Sequence, residues 1–338
     1  MQRNKVFAVL AFSSVAVLGL SACGSGGGSE AGQQSATVLK VAFNQNASHP
    51  QAVAITELSE KLKEATDGAY ELELFPDEQL GSQAETLELV QSGAVDMAIV
   101  AGPLLEAFNP DFSVLNLPYI YDSPEHQMSV LNDPEITGVL YDSLTESEQI
   151  SVIGAYHGGV RNVYTTDGPV ETPADLAGQK IRVISSDTNV SMVGLMGGVG
   201  TPMPQGDVYT AIQSGVLNGA ENNELIFADL GHSEIAPYYS YTKHLMIPDY
   251  LVASPAVLEA FSEDQRADLE SLFTESVDNE LASFDAKVTE AKKKAEDSGA
   301  SFHEADVDAF REAVAPLLEE KISNDVTKSI FDKIEAAR

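Results

Sequence analysis

The chain has 338 residues, with 52 Asp plus Glu against 19 Lys plus Arg, for a formal net charge of −33. At roughly 150 residues per domain this length suggests two domains, and a hydrophobic content of 43% is ample for a packed core. The charge excludes a protein built to grip nucleic acid, which needs a basic footprint. The single cysteine excludes a disulfide framework and a multi-cysteine metal site.

Arg3 and Lys5 precede an almost wholly apolar run over 6–20, the pattern of a signal peptide. The run ends in Leu20-Ser21-Ala22-Cys23, which resembles a bacterial lipobox and implies that Cys23 becomes the lipid-bearing first residue of the mature chain. A plain secretory peptide with an incidental cysteine is the alternative. A Gly/Ser stretch over 24–29 follows, flexible enough to let a folded body stand off a membrane. Residues 1–22 are thus read as a lipoprotein signal peptide and 23–36 as the lipid-anchored linker. Losing 1–22 removes two bases and no acid, deepening the charge by two to −35. No later stretch approaches the ~20 apolar residues of a spanning helix. The expected protein is extracytoplasmic and tethered to the cell membrane, in a periplasm or on the outer cell surface.

In the body, 38–43 is an apolar strand candidate, and 51–66 places Ile55, Leu58, Leu62 and Ala65 on one helical face. Residues 70–75 alternate with period 2, 82–92 is helical, and 95–100 is a buried strand. This β-α-β-α-β succession predicts α/β units with a mostly parallel sheet. Residues 103–124 are punctuated by proline and irregular. Strands recur near 151–156, 160–165 and 180–184, with helices at 188–196 and 207–213.

The C-terminal third differs. Ser262 and Gln265 have capping-box spacing, and Phe273, Val277, Leu281, Phe284, Val288, Ala291 and Ala295 then form one apolar stripe. The spacing predicts a helix of about 33 residues, roughly 50 Å long. That exceeds the diameter of a small domain, so a brace across two domains is expected rather than a coiled coil, which lacks its sustained heptads here. Two further helices, 306–320 and 325–337, close the chain.

No catalytic constellation stands out. The six histidines are scattered without HxxxH or HExxH spacing, and neither a Walker-type loop nor a Gly-x-Ser-x-Gly elbow occurs in the body. No cofactor and no metal site are expected. The sparse bases carry more information: Arg161, Lys180 and Arg182 are the only Lys or Arg between positions 64 and 242. Period 2 sets Lys180 and Arg182 on one face of a strand. A parallel α/β sheet places ligands at strand ends, and a guanidinium fork grips carboxylates with paired hydrogen bonds. Ordinary ion pairing with the plentiful acids is the competing reading.

Four motifs then carry a resemblance: Phe75-Pro-Asp-Glu-Gln79-Leu80-Gly81 with Gln91-Ser-Gly93-Ala-Val-Asp96; Gly159-Val-Arg161-Asn-Val-Tyr164; Pro169 through Asp175 to Gly178-Gln-Lys180-Ile-Arg182-Val; and Pro202-Met-Pro204-Gln to Gly219-Ala-Glu221-Asn222. In that order they resemble the DctP-type solute-binding proteins of tripartite ATP-independent periplasmic (TRAP) transporters, across nearly the whole mature chain. The resemblance implies an α/β, two-lobed periplasmic-binding-protein fold (type II-like), with the long C-terminal helix bracing both lobes. The first lobe would comprise 37–158 and 248–287, the second 159–247 and 288–338. It implies a monomer that captures an organic acid, a dicarboxylate or a sugar acid such as a uronate, in the interlobe cleft and delivers it to the TRAP permease subunits.

By the same resemblance Arg182 would make the paired contact to the ligand carboxylate. Arg161 matches a second arginine near the site, and Asn222 the Asn of a Glu-Asn pair that binds the carboxylate or a neighbouring hydroxyl. Asn46, His49, Gln83, Glu85, Gln205 and Tyr209 are further ligand candidates, for which helix capping or core packing competes. Departures from the family pattern are Asn223 for a common Pro, Ala84 for a frequent base, and Asn218 for a frequent Asp. Gly-Ala-Glu-Asn-Asn with the downstream Ile247-Pro248-Asp249 is similar to a branch associated with sugar acids. The rival readings are a secreted hydrolase acting on sugar-acid substrates and an ABC-type binding protein.

Overall fold

In the computed structural model, which describes residues 36–338, β1 (Thr37–Ala42) is the apolar segment expected after the linker. The expected signal peptide, the lipid site at Cys23 and all but the last linker residue lie outside the described residues. β1 leads to α1 (Pro50–Ala65), β2 (Tyr70–Phe75), α2 (Gln83–Gln91) and β3 (Met97–Ala101). β1 pairs in parallel with both β2 and β3, and α1 buries Ile55, Leu58 and Leu62 against them. The irregular stretch that follows is two 3-10 turns, Gly102–Ala107 and Pro110–Asn116.

Two helices come next that the hydrophobic pattern did not reveal, α3 (Pro124–Leu131) and α4 (Pro134–Glu148). Each opens with proline behind a capping Ser123 or Asp133, a start signal that periodicity alone overlooks. β4 (Ser151–Thr165) is one strand where two were expected. Gly158-Gly159 looks like a break but is a bulge, with the register shifting between His157 and Val160. Gly159 has φ +83°, and a Cβ there would lie 2.5 Å from Asn223 Nδ2, so glycine is required.

The second half contains β5 (Lys180–Val183), α5 (Asp187–Leu195), β6 (Val199–Pro202), α6 (Val208–Gln213), β7 (Gly219–Asn222), α7 (Glu224–Asp229) and α8 (His232–Ile235). β8 (Tyr238–Ala253) returns through the sheet and leads to α9 (Pro255–Ala260), α10 (Glu263–Asp297), β9 (Ser301–Glu304), α11 (Val307–Lys321) and α12 (Asp325–Ala336).

The strands make one sheet, β2-β1-β3-β8-β4-β7-β5-β6, with β9 on β8. It is mixed rather than mostly parallel: β3–β8, β4–β8 and β4–β7 are antiparallel. β4 and β8 are the two chains that cross from one half to the other. The Asp249–Ala253 end of β8 lies beside β3 and the Asn162–Thr165 end of β4 beside β7, while β4 and β8 pair with each other through both halves.

α10 is the expected brace. The Ser262–Gln265 capping box is present, and 35 residues give about 52 Å. Its Phe273 and Val277 pack in a core cluster with α1 and β3, and its Phe284, Ala291 and Ala295 in a second cluster around Tyr164, Phe227 and Tyr239. β9 pairs with the Tyr238–Tyr241 end of β8. α12 packs instead on α4 and the 110–116 turn, where Asn324 bonds Asp111 at 2.8 Å and Arg338 pairs with Asp122. The chain therefore forms the α/β, two-lobed architecture with a bracing helix.

Candidate functional site

The C-terminal ends of β1, β3, β5, β6 and β7 converge where the two halves of the sheet meet, the position at which open α/β sheets bind ligands. Two adjoining cavities of about 20 and 40 Å³ lie there. Gln83, Ile184 and Gln205 line both. Such volumes hold a few waters at most, so a larger solute enters only when the two halves separate.

Arg161 projects from β4 and is 2% exposed. Four of its five N–H donors are used. Nη2 donates to Glu221 Oε1 and to the Glu221 carbonyl, both at 2.7 Å, while Nε donates to Glu221 Oε2. Nη1 donates to Asn222 Oδ1 at 3.0 Å. Burial works against the Glu221 charge, but Arg161 outweighs it and holds the carboxyl down at about 2. His244 Nε2 approaches the same carboxylate at 3.4 Å. This is a buried, neutralised pair.

Arg182 differs. It is 4% exposed, at the end of β5, and its Nε donates to the Met203 carbonyl at 2.9 Å. Among the described residues its Nη groups make no hydrogen bond and no carboxylate lies within 4 Å. Burial, and after it the charge of Arg161, pull its pKa down to about 10, still far above neutrality. It lines the larger cavity as an unpaired cation.

Asn222 Oδ1 accepts from Arg161 and from the Asn223 N–H at 2.9 Å. Two donors on the oxygen turn Nδ2 the other way, where among the described residues it has no partner. Asn222 lines the smaller cavity. His49 caps α1, with Nδ1 accepting from the Gln51 N–H at 3.3 Å. That bond puts the proton on Nε2. Burial, opposed by Asp229, pushes His49 down to about 4, so it is neutral. Its ring meets Phe43 at 5.6 Å and Phe284 of α10 at 6.3 Å, which ties the brace to the cavity wall.

Gln205 and Gln45 exchange side-chain hydrogen bonds, and Asn44 Nδ2 also donates to Gln205 Oε1 at 3.3 Å. Gln83 reaches both cavities while its Oε1 accepts from the Ala101 N–H at 2.6 Å. Three of the sequence-selected residues lie elsewhere. Asn46 donates to Asp229 Oδ2 at 3.1 Å, Glu85 closes the exposed capping box with Ser82, and Tyr209 lies with its ring 6.5 Å from His232.

The cavity walls also hold residues that sequence reasoning passed over. Asn223 caps α7 and donates to the Gly158 carbonyl at 2.9 Å, which explains the departure from Pro at that position. Asp249 accepts from Gln51 Nε2 at 2.8 Å; burial raises it to about 6, against the pull of Gln51 and Arg161. Glu78 faces the larger cavity from the turn after β2. Among the described residues no group of three His, Cys, Asp or Glu is placed to hold a metal, and no helix is long and apolar enough to cross a membrane. The arrangement offers a fixed cation, neutral donors and two carboxylate acceptors around a closed gap, a set suited to holding a hydroxylated anion.

Residues 41–325 match the family model described as bacterial extracellular solute-binding protein, family 7, DctP. The chain is 34% identical to the uncharacterized protein YiiZ of Salmonella typhimurium over 89% of its own length and 92% of that protein's. It is similar to the TRAP periplasmic solute-binding protein of Anaerococcus prevotii solved with α/β-D-glucuronate, with 36% identity, TM-score 0.85, and 89% and 98% coverage of the two chains. A second similar structure, from Xanthobacter autotrophicus Py2 with β-D-galacturonate, has 32% identity, TM-score 0.83, and 89% and 100% coverage.

Proposed function

The chain belongs to the family 7 bacterial extracellular solute-binding proteins, the DctP family, and we propose that its solute is a uronate-class sugar acid gripped through its carboxylate by Arg182. It is an extracytoplasmic binding protein of a TRAP transporter, not an enzyme, and it captures an organic acid between its lobes for the permease. The hydrolase alternative has no support.

One observation carries the reading: among the described residues Arg182 is a buried cation with no carboxylate within 4 Å, whereas Arg161 is paired with Glu221. A carboxylate entering the cleft gains charge-assisted bonds worth roughly 1.5–3 kcal/mol and repairs the cost of burying that cation. Asn222 Nδ2 and His49 Nε2 serve as donors to the solute, and Arg161 positions Asn222. Gln45, Gln83 and Gln205 exchange their present partners for solute hydroxyls. Asn46 bonds Asp229, Glu85 caps α2 and Tyr209 packs near His232, so none of the three contacts the solute. The bound uronates of the two similar structures support the choice of class.

The first lobe comprises 37–158, 248–287 and α12, which packs on α4; the second comprises 159–247 and 288–304, with α11 packed on α5 and on the 110–116 turn. The mature chain is a monomer held to the membrane by lipid on Cys23. A thermal-shift screen of the mature protein tests the solute: D-glucuronate or D-galacturonate raises the midpoint, and the compound is recovered intact. Stabilisation by C4-dicarboxylates alone contradicts the reading.

A further inference from the structure

We propose that Glu78 sets the charge of the solute: it accepts hydrogen bonds from hydroxyls and turns away a second carboxylate, so the cleft takes polyhydroxy monoacids and rejects the matching diacids. This rests on Arg182 being the carboxylate clamp and refines that reading.

Glu78 stands in a conformation that non-glycine residues avoid. Asp77 and Glu78 have φ +56° and +54°, both left-handed. The loop after β1 holds them there: the Asp77 N–H donates to the Gln45 carbonyl at 2.9 Å and the Glu78 N–H to the Phe43 carbonyl at 3.1 Å. The turn therefore aims the half-buried Glu78 side chain at the cavity that Arg182 lines. On its other side the carboxylate packs against Gly206, where a Cβ would lie 2.8 Å from Glu78 Oε2.

Among the described residues the Glu78 carboxylate accepts no hydrogen bond and has no cation within 4 Å, although Arg182 shares its cavity. Burial raises its pKa, with Arg182 opposing. Opposite charges that share a small cavity without pairing leave a gap for a molecule with an anionic end and a hydroxylated end. The two cavities offer only one cation to a ligand carboxylate. Glu221 cancels Arg161, and Arg182 is the remaining cation. A second ligand carboxylate would face Glu78 and Asp249 with no cation left, and like charges brought together discriminate strongly.

Calorimetric titration of the mature protein with D-galacturonate and with galactarate, its diacid of the same carbon skeleton, tests this. The wild type prefers the monoacid by at least a hundredfold. Glu78→Gln, isosteric and neutral, narrows that preference at least tenfold and binds galactarate more tightly than the wild type does. Glu78→Asp keeps the charge and keeps the preference. An unchanged preference in Glu78→Gln overturns the role of Glu78 while the uronate reading stands. Wild-type binding of galactarate but of no uronate overturns both.

Discussion

Gln45 and Gln205, 160 residues apart, exchange both side-chain amide hydrogen bonds across the cleft, at 3.1 Å one way and 3.0 Å the other. Each amide thereby satisfies its partner in the closed protein, using the same donors and acceptors that sugar hydroxyls would engage. A net value of about 0.5–1.5 kcal/mol per bond makes the pair strong enough to hold the lobes together and weak enough to part.

Gln205→Ala removes both bonds and the one from Asn44 as well, roughly 1.5–4.5 kcal/mol that favours closure. The ligand-free protein is expected to open, with a larger radius of gyration in small-angle scattering. A scattering curve identical to the wild type contradicts a latch at this pair.

Arg161 and Arg182 are expected to fail in opposite ways. Arg161→Met strands the Glu221 charge in the interior, a loss of about 3–5 kcal/mol, read as a lower urea midpoint. The pair also sets a pH dependence. Glu221 titrates at about 2 when folded, below its ordinary 4.5, so its stabilisation is complete above pH 4.5 and fades as pH falls toward 2. The wild type loses stability across that window, and Arg161→Met loses less. Equal slopes contradict the assignment.

Glu280 is buried in the middle of α10, and neither carboxyl oxygen has a hydrogen-bond partner among the described residues. Burial raises its pKa well above the carboxylate range, the nearby His157 backbone N–H opposing and Asp249 adding, so it is held neutral. Glu280→Met replaces an unsatisfied polar group with an apolar one of similar length. A gain of about 1–3 kcal/mol is expected, seen as a higher calorimetric midpoint at pH 7. A lower midpoint would show that the carboxyl has a partner in solution.

What was legible in the sequence was what local chemistry determines. The Ser262–Gln265 box and the stripe from Phe273 to Ala295 predict α10 because caps and helical periodicity act within a few residues. Arg182 stands out because bases are so scarce around it. β8 escaped notice because Pro248 and Asp249 interrupt it, and proline argues against a central strand; here Pro248 sits opposite His157, at the bulge. Gln45, Glu78 and Asp249 were illegible as site residues for a different reason. Their aim depends on a left-handed turn and on two distant chain segments meeting, and neither is written in local pattern. Composition and periodicity could not separate the two arginines; the family resemblance did, and the fold adds the reason, that Glu221 is bound to Arg161.

The central claim is that Arg182 is the solute's carboxylate clamp. Isothermal titration of D-glucuronate into the wild type and Arg182→Ala tests it most directly. The expected result is at least a tenfold to hundredfold weaker affinity, in keeping with roughly 1.5–3 kcal/mol for bonds to a charged group, in a variant whose thermal midpoint is equal to or above the wild type because a buried cation is gone. Unchanged affinity in a folded Arg182→Ala protein would contradict the account.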